Sequence, residues 1–292
     1  LEGSPYVVLD TCIIPVEQTL TLEPGVVVQF PDDANGQFCF MVHGNLNAIG
    51  TEEDSIYFLS GATAFSGFTS DWWTNTGSIF MEYCVVDSAR DAFHFPIDAD
   101  SLEIHRSRIV AVFRFADANN MFTFLTNNEF HTATPEQTAG IQLVDCQPGE
   151  FYHNSGPIRL RVSGAWWNLH DNNIDFINMT HCGGEITNNN GFVDGVHCDI
   201  LWSNDLLIEN NNLSTLFLDE VANVIIRSNL IDGGGIGVWL SDNVLIQYNE
   251  VYAFNNALDF FSNTENVLVQ NNIITSTNRS AFMGSHNDPP VT

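Results

Sequence analysis

Four side chains in this sequence have the types needed for joint acid–base and anion-binding chemistry: Arg159, Arg161, His197 and Asp199. An arginine binds a carboxylate through two parallel hydrogen bonds. A histidine takes a proton near neutral pH. An aspartate beside it orients the ring or holds a cation, so the set would suit an acidic sugar. A polar ladder on a solvated sheet face is the plainer reading of the same residues. A second group, Asp98, Asp100 and Glu103, puts oxygen ligands on one loop, and Ca²⁺ is the cofactor such ligands suit. No EF-hand or glycine-rich nonapeptide accompanies it, so solvated acidic loops compete, and no other cofactor is implied. The third group is aromatic. Trp72–Trp73 and Trp166–Trp167 are adjacent pairs, so in a strand one ring of each faces out, and Trp239 falls at an outward position. Exposed rings stack on sugar faces, and these five form the expected substrate-binding set.

Whether such residues meet depends on the elements that carry them, and here the sequence is explicit. Four late segments align without gaps: DLLIENNNL from Asp205, NVIIRSNLI from Asn223, NVLIQYNEV from Asn243 and NVLVQNNII from Asn266. The same frame fits backwards through Gly183, Trp166, Pro148, Met121 or Phe122, Ser101 and Gly77. Each unit has a fixed part and a loop of variable length, with a period of about twenty residues. The fixed part alternates, which is strand periodicity. Its seventh position is Asn in six units: Asn154, Asn172, Asn211, Asn229, Asn249 and Asn272. Asn127 or Asn128, and Asn189 or Asn190, fill two more units with the register open. Asparagine tolerates left-handed backbone angles, and one per turn can stack as an amide ladder. A second short strand follows in most units, for example AFHF (92–95), VFRF (112–115), IGVWL (236–240) and ALDFF (257–261).

Short strands stacked at the spacing of a sheet make continuous parallel sheets around one core. The predicted fold is all-β: a single right-handed parallel β-helix of about eleven turns with an Asn ladder. Residues 1–60 are expected to cap it and form its first turns, and residues 61–292 to form one continuous domain of repeats. If Ile236, Val238 and Leu240 point inward, then Gly237 and Trp239 point out. In the other turns the outward stripe is His94, Arg114, Gln142, Arg159, Arg161, His197, Asp199, Phe217 and Asp259.

Composition narrows the classes of partner. The 292 residues include 36 Asp and Glu against 8 Lys and Arg, a formal charge of −28, and all the basic residues are arginine. Such a surface repels nucleic acid phosphates and anionic membranes. At 44% hydrophobic and 15% charged, the chain is a folded protein with an acidic skin. No apolar run is long enough to span a bilayer, so membrane insertion is not expected. The chain opens at Leu1, with no signal peptide, and reads as a processed chain or a fragment. Six cysteines without a CxxC pair speak against a zinc ribbon and read most simply as buried thiols.

The N-x-[VI]-x-[IV]-x-x-N-x-[IV] units resemble the parallel β-helix repeats of pectate-lyase-like and NosD-like proteins over roughly residues 77–285. The stretches TLTLEPGVVVQF (19–30) and GNLNAIGTEEDSIYFLS (44–60) resemble the opening turns of bacterial secreted and surface β-helix modules. That resemblance implies an extracellular or cell-surface location, and enzymes of the family act in a groove along one outer sheet face. Their signatures are missing here. There is no lysine base, no paired-Asp and GHG segments, and no DPHD segment. The expectation is an extracellular, non-catalytic structural, adhesive or filament-forming module whose partners are itself or polysaccharide. A polysaccharide lyase, a glycoside hydrolase or a glycan-binding module is the alternative.

Overall fold

The structure, a computed structural model, describes residues 4–31, 38–70, 77–96, 99–133, 139–146, 149–191, 195–261 and 263–284. Every described element is a β-strand, and the sheets are parallel, stacked as a β-solenoid of about eleven turns in all. The expected all-β solenoid is therefore what the chain forms. It divides into two compact units, Leu1–Ile158 and Arg159–Thr292.

In the first unit the repeat strands Thr19–Leu22, Asn45–Ile49, Ser78–Glu82, Ser101–His105 and Phe122–Thr126 pair in chain order, and Gly149–Tyr152 follows on Phe122–Thr126. Alternation sets which side chains are inside. Ala48, Met81, Ile104, Leu125 and Phe151 stand in register across successive turns, and all are fully buried. The returning strands pile up like on like. Phe40, Phe68 and Phe93 stack at 5.4 and 5.3 Å with planes within 12° of parallel. Register explains the pile: Phe40 faces Phe68, and Phe68 faces Phe93.

In the second unit the repeat strands are Trp166–His170, Gly183–Thr187, Asn204–Glu209, Ala222–Arg227, Asp242–Gln247 and Glu265–Gln270. Its core is largely aliphatic: Ile186, Ile208, Ile226 and Ile246 form one buried column. The returning strands Phe176–Thr180, Val196–Leu201, Asn212–Asp219, Leu230–Trp239 and Leu258–Phe261 carry the outward stripe.

The corner after each repeat strand explains the asparagines. The chain turns at a residue with positive φ, such as Asn188, Asn210, Ser228, Tyr248 and Asn271, all near 56–57°. The next residue tucks in. In the second unit the backbone N and Nδ2 of Asn189 both donate to Asn211 Oδ1, at 2.9 and 3.0 Å. Asn211 repeats this with Asn229, Asn229 with Asn249, and Asn249 with Asn272. Each Nδ2 also reaches a carbonyl one turn back, as Asn211 does to Ile186 at 2.7 Å. One amide per turn thus satisfies backbone groups that the corner would leave buried and unpaired. The open registers resolve as Asn128 and Asn189. In the first unit the column changes chemistry: Asn128 donates to Asn154, Ser107 N to Asn128 Oδ1 at 3.0 Å, and Cys84 N to Ser107 Oγ at 3.0 Å.

Among the described residues no helix is long and apolar enough to cross a membrane. All six cysteines are free thiols, and five of them are buried.

Candidate functional site

The sequence places Arg159, Arg161, His197 and Asp199 on one outward stripe, and the structure does put all four on the outer face. It does not bring the arginines to the other two. Arg159 faces Phe176, which faces His197, while Arg161 faces Asn178, which faces Asp199. One whole turn, Phe176–Thr180, stands between them, about 10 Å of sheet from first strand to third. His197 and Asp199 do meet, with Nε2 3.0 Å from Oδ1. The imidazole stacks on Phe176 at 5.1 Å and 11° between planes. A pair held this way has a fixed ring and a carboxylate, but the guanidinium that would bind an anionic substrate beside it is two turns away.

A tighter constellation lies in the first unit, where only its His94 and Arg114 were expected. Arg114 Nε donates to Asp91 Oδ1 at 2.7 Å, and its Nη1 donates to Asp117. His94 Nδ1 sits 3.3 Å from Asp117 Oδ2, close enough for attraction but without the alignment of a hydrogen bond. The two aspartates expose only 12% and 15% of their side chains. His94, and then Arg114, hold the Asp117 carboxyl below its usual range. The hydrogen bond from Arg114 to Asp91 is the largest influence raising the guanidinium further. Strand register assembles the group: His94 faces Asp117 and Asp91 faces Arg114 on neighbouring turns. The VFRF segment was expected to match AFHF. It is instead the corner of the long strand Arg108–Asn119, and FADA is the true counterpart of AFHF, which brings in Asp117.

The metal and aromatic sets divide. Asp98 lies outside the described residues, Asp100 is exposed, and Glu103 is half-buried on an outward face. Among the described residues no three His, Cys, Asp or Glu side chains converge as a metal site. Trp72 and Trp73 also lie outside the described residues. Trp167 is a core residue whose Nε1 donates to Gly164 O at 3.3 Å, so it is not a surface ring. Trp166 is 47% exposed and lies against Gly183 on the next turn; a Cβ there would stand 2.9 Å from its Cε3. Trp239 is 39% exposed and meets Phe217 and Phe261 edge to face, each at 5.1 Å.

Near Trp239 two carboxyls are poorly compensated. Asp259 Oδ1 and Asp219 Oδ1 are shut off from water with no hydrogen-bond partner among the described residues. Burial pushes both carboxyls up, and Glu220 adds to this at Asp219. Asn256 Nδ2 donates to Asp259 Oδ2 at 3.2 Å. The thiols are unsuited to nucleophilic work: burial raises Cys84 to about 12 and pushes Cys198 up as well.

Neither protein-family models, nor curated proteins, nor solved structures give a match to this chain.

Proposed function

We propose that this chain is a non-catalytic structural or adhesive β-solenoid module of an extracellular or cell-surface protein. The observation that carries the reading is the use to which its outward charges are put. Arg114 is spent on two aspartates of its own unit. His197 is spent on Asp199 and Phe176, and the two arginines that would complete an anion site stand two turns away. Arg114 on Asp91 and His197 on Phe176 tie successive turns together, while Asp117 and Asp199 hold those side chains from within their own strands, and none of the four pairs converges on a reacting atom. The ladder does the same inside the corner.

Trp166 supports a second reading, glycan binding. Its ring is held by Gly183 and half exposed, which is a face on which a pyranose can stack. One experiment addresses both: binding and product release against a panel of acidic and neutral polysaccharides, with and without Ca²⁺. Retention of a polysaccharide without product, reduced in Trp166→Ala, supports an adhesive glycan-binding module. Release of reducing ends or unsaturated sugars, abolished in His197→Ala or Arg114→Ala, overturns the non-catalytic reading.

A further inference from the structure

The rings around Trp239 differ from Trp166 in a way that selects a different ligand. Phe217 and Trp239 cross at 78°, and Trp239 and Phe261 cross at 66°. Rings at such angles present their faces in more than one direction, which suits a compact group touched by more than one ring. A flat sugar ring gains little from such an arrangement. The floor is Gly237, which faces Phe217 on one turn and Asp259 on the next. A Cβ at Gly237 would stand 3.0 Å from Phe217 Cδ2 and 3.9 Å from Trp239 Nε1, so the missing side chain is what lets the rings close over this point. Asp259 borders the floor, with Asn256 on its Oδ2, and Asp219 faces Trp239 from the preceding turn. Among the described residues both carboxyls keep one oxygen without a donor. The face thus combines three ring quadrupoles with negative charge short of a counter-charge, on a chain of −28.

We propose that this face binds a quaternary ammonium group, held by cation–π contact with Phe217, Trp239 and Phe261 and by the charge of Asp259 and Asp219. Such a cation is compact, weakly hydrated and unable to donate a strong hydrogen bond. It therefore needs ring faces and net charge rather than a lined-up acceptor. An inorganic cation would instead need several accessible oxygens, and here each carboxylate has an oxygen withdrawn from the surface. The trimethylammonium chemistry is common to free choline-type solutes and to choline headgroups of lipid.

The test uses the whole chain. Choline is titrated by calorimetry and by Trp fluorescence, alongside 3,3-dimethyl-1-butanol, its neutral isostere. Choline is expected to bind and the isostere not. Trp239→Leu and Asp259→Asn should each weaken choline binding about tenfold, the loss of one cation–π or charge contact. Trp166→Leu should leave it unchanged. Unaltered thermal melting of the two variants separates loss of a contact from loss of fold, and Phe261→Leu offers a third route should either melt early. Phosphatidylcholine vesicles form the second arm: sedimentation with them, lost in Trp239→Leu, assigns the headgroup as the source, whereas binding of free choline alone assigns a soluble cation. Equal binding of the isostere, no choline binding, or binding indifferent to all three variants overturns the proposal. Glycan retention through Trp166 is read separately, so either result can fail without the other.

Discussion

The two units build the same corner from different residues, and they fill their cores differently. In the second unit every rung from Asn189 to Asn249 is an asparagine that accepts from one neighbouring asparagine and donates to the next, and Asn272 accepts at the end. In the first the column runs from asparagine through Ser107 to Cys84, and each step towards the N-terminus has fewer hydrogen bonds to offer. The cores trade in the other direction: aromatic piles in the first unit, an isoleucine column in the second. The lesson is that a solenoid needs turn-to-turn continuity, and either a polar ladder or a stack of rings provides it. Where the amide ladder thins, the stacked rings carry the register.

The largest effect should come from breaking the aromatic pile. Phe68 is fully buried and touches Phe40, Phe58, Phe65 and Phe93. Phe68→Ala is expected to cost about 3–5 kcal/mol by urea unfolding, whereas Leu216→Ala in the second unit should cost about 2–4. Equal losses would mean that the rings contribute volume alone and that the contrast between the cores is empty.

Next comes the ladder. Asn211→Leu removes the shared acceptor of Asn189 N and Nδ2 inside the corner, and its own two donors. Stranding Asn189 N and losing the amide's bonds to both neighbouring turns should cost about 2–3 kcal/mol, against about 1 for Ser107→Ala, which strands Cys84 N. If the two variants unfold alike, the amide ladder is no stronger a tie than a single hydroxyl.

Much of this was legible in advance. Alternation and one Asn per period show the strands, the corner and most of the ladder, because both signals are local. Two things were hidden. Ser107 and Cys84 continue the column, yet share no side-chain type with asparagine; only their place after the positive-φ residues Arg106 and Tyr83 marks them. The outward site was misjudged where the chain turns a corner inside one strand. Cys84–Phe95 carries Ser88 at a φ of 60° and two register shifts against its neighbour, which slides the pairing and puts Asp117 beside His94. In the second unit the turn Phe176–Thr180 lacks an obvious repeat signature, so Arg159 and Arg161 read as neighbours of His197 and Asp199 when a whole strand separates them.

The outward charges give a smaller, pH-dependent test of the same contrast. Arg114→Gln leaves Asp91 and Asp117 without their common cation. Removing one partner of a buried pair costs about 3–5 kcal/mol. With Arg114 42% exposed, screening by solvent should cut this to about 1–2. Asp117 is held below its unfolded value, so its contribution is complete above the unfolded carboxylate range near 4 and is lost as pH falls through the lower folded value. The gap between wild type and variant should therefore close on acidification below that range. Asp259 runs the other way. Its folded value is raised, so the native state gains stability relative to the unfolded chain as pH falls through that value. A cation held by its charge should leave over the same interval. A gap that widens in acid would show that the Arg114 cluster is not what ties its turns.

The smallest effect concerns the corner residue itself. Tyr248 holds a φ of 57° on the surface, a conformation that costs an ordinary side chain energy and an asparagine much less. Neighbouring turns of the same unit already use Asn188, Asn210 and Asn271 at this position. Tyr248→Asn should therefore stabilise the chain by about 0.5 kcal/mol, seen as a small rise in the unfolding midpoint. Tyr83 occupies the same corner in the first unit at a φ of 50°, but the guanidinium of Arg106 sits 5.7 Å from its ring. Tyr83→Asn should gain less, because relief of the backbone is offset by loss of that contact. Matching gains at the two sites would show that backbone conformation alone sets the energy of the corner, whichever kind of column runs beneath it.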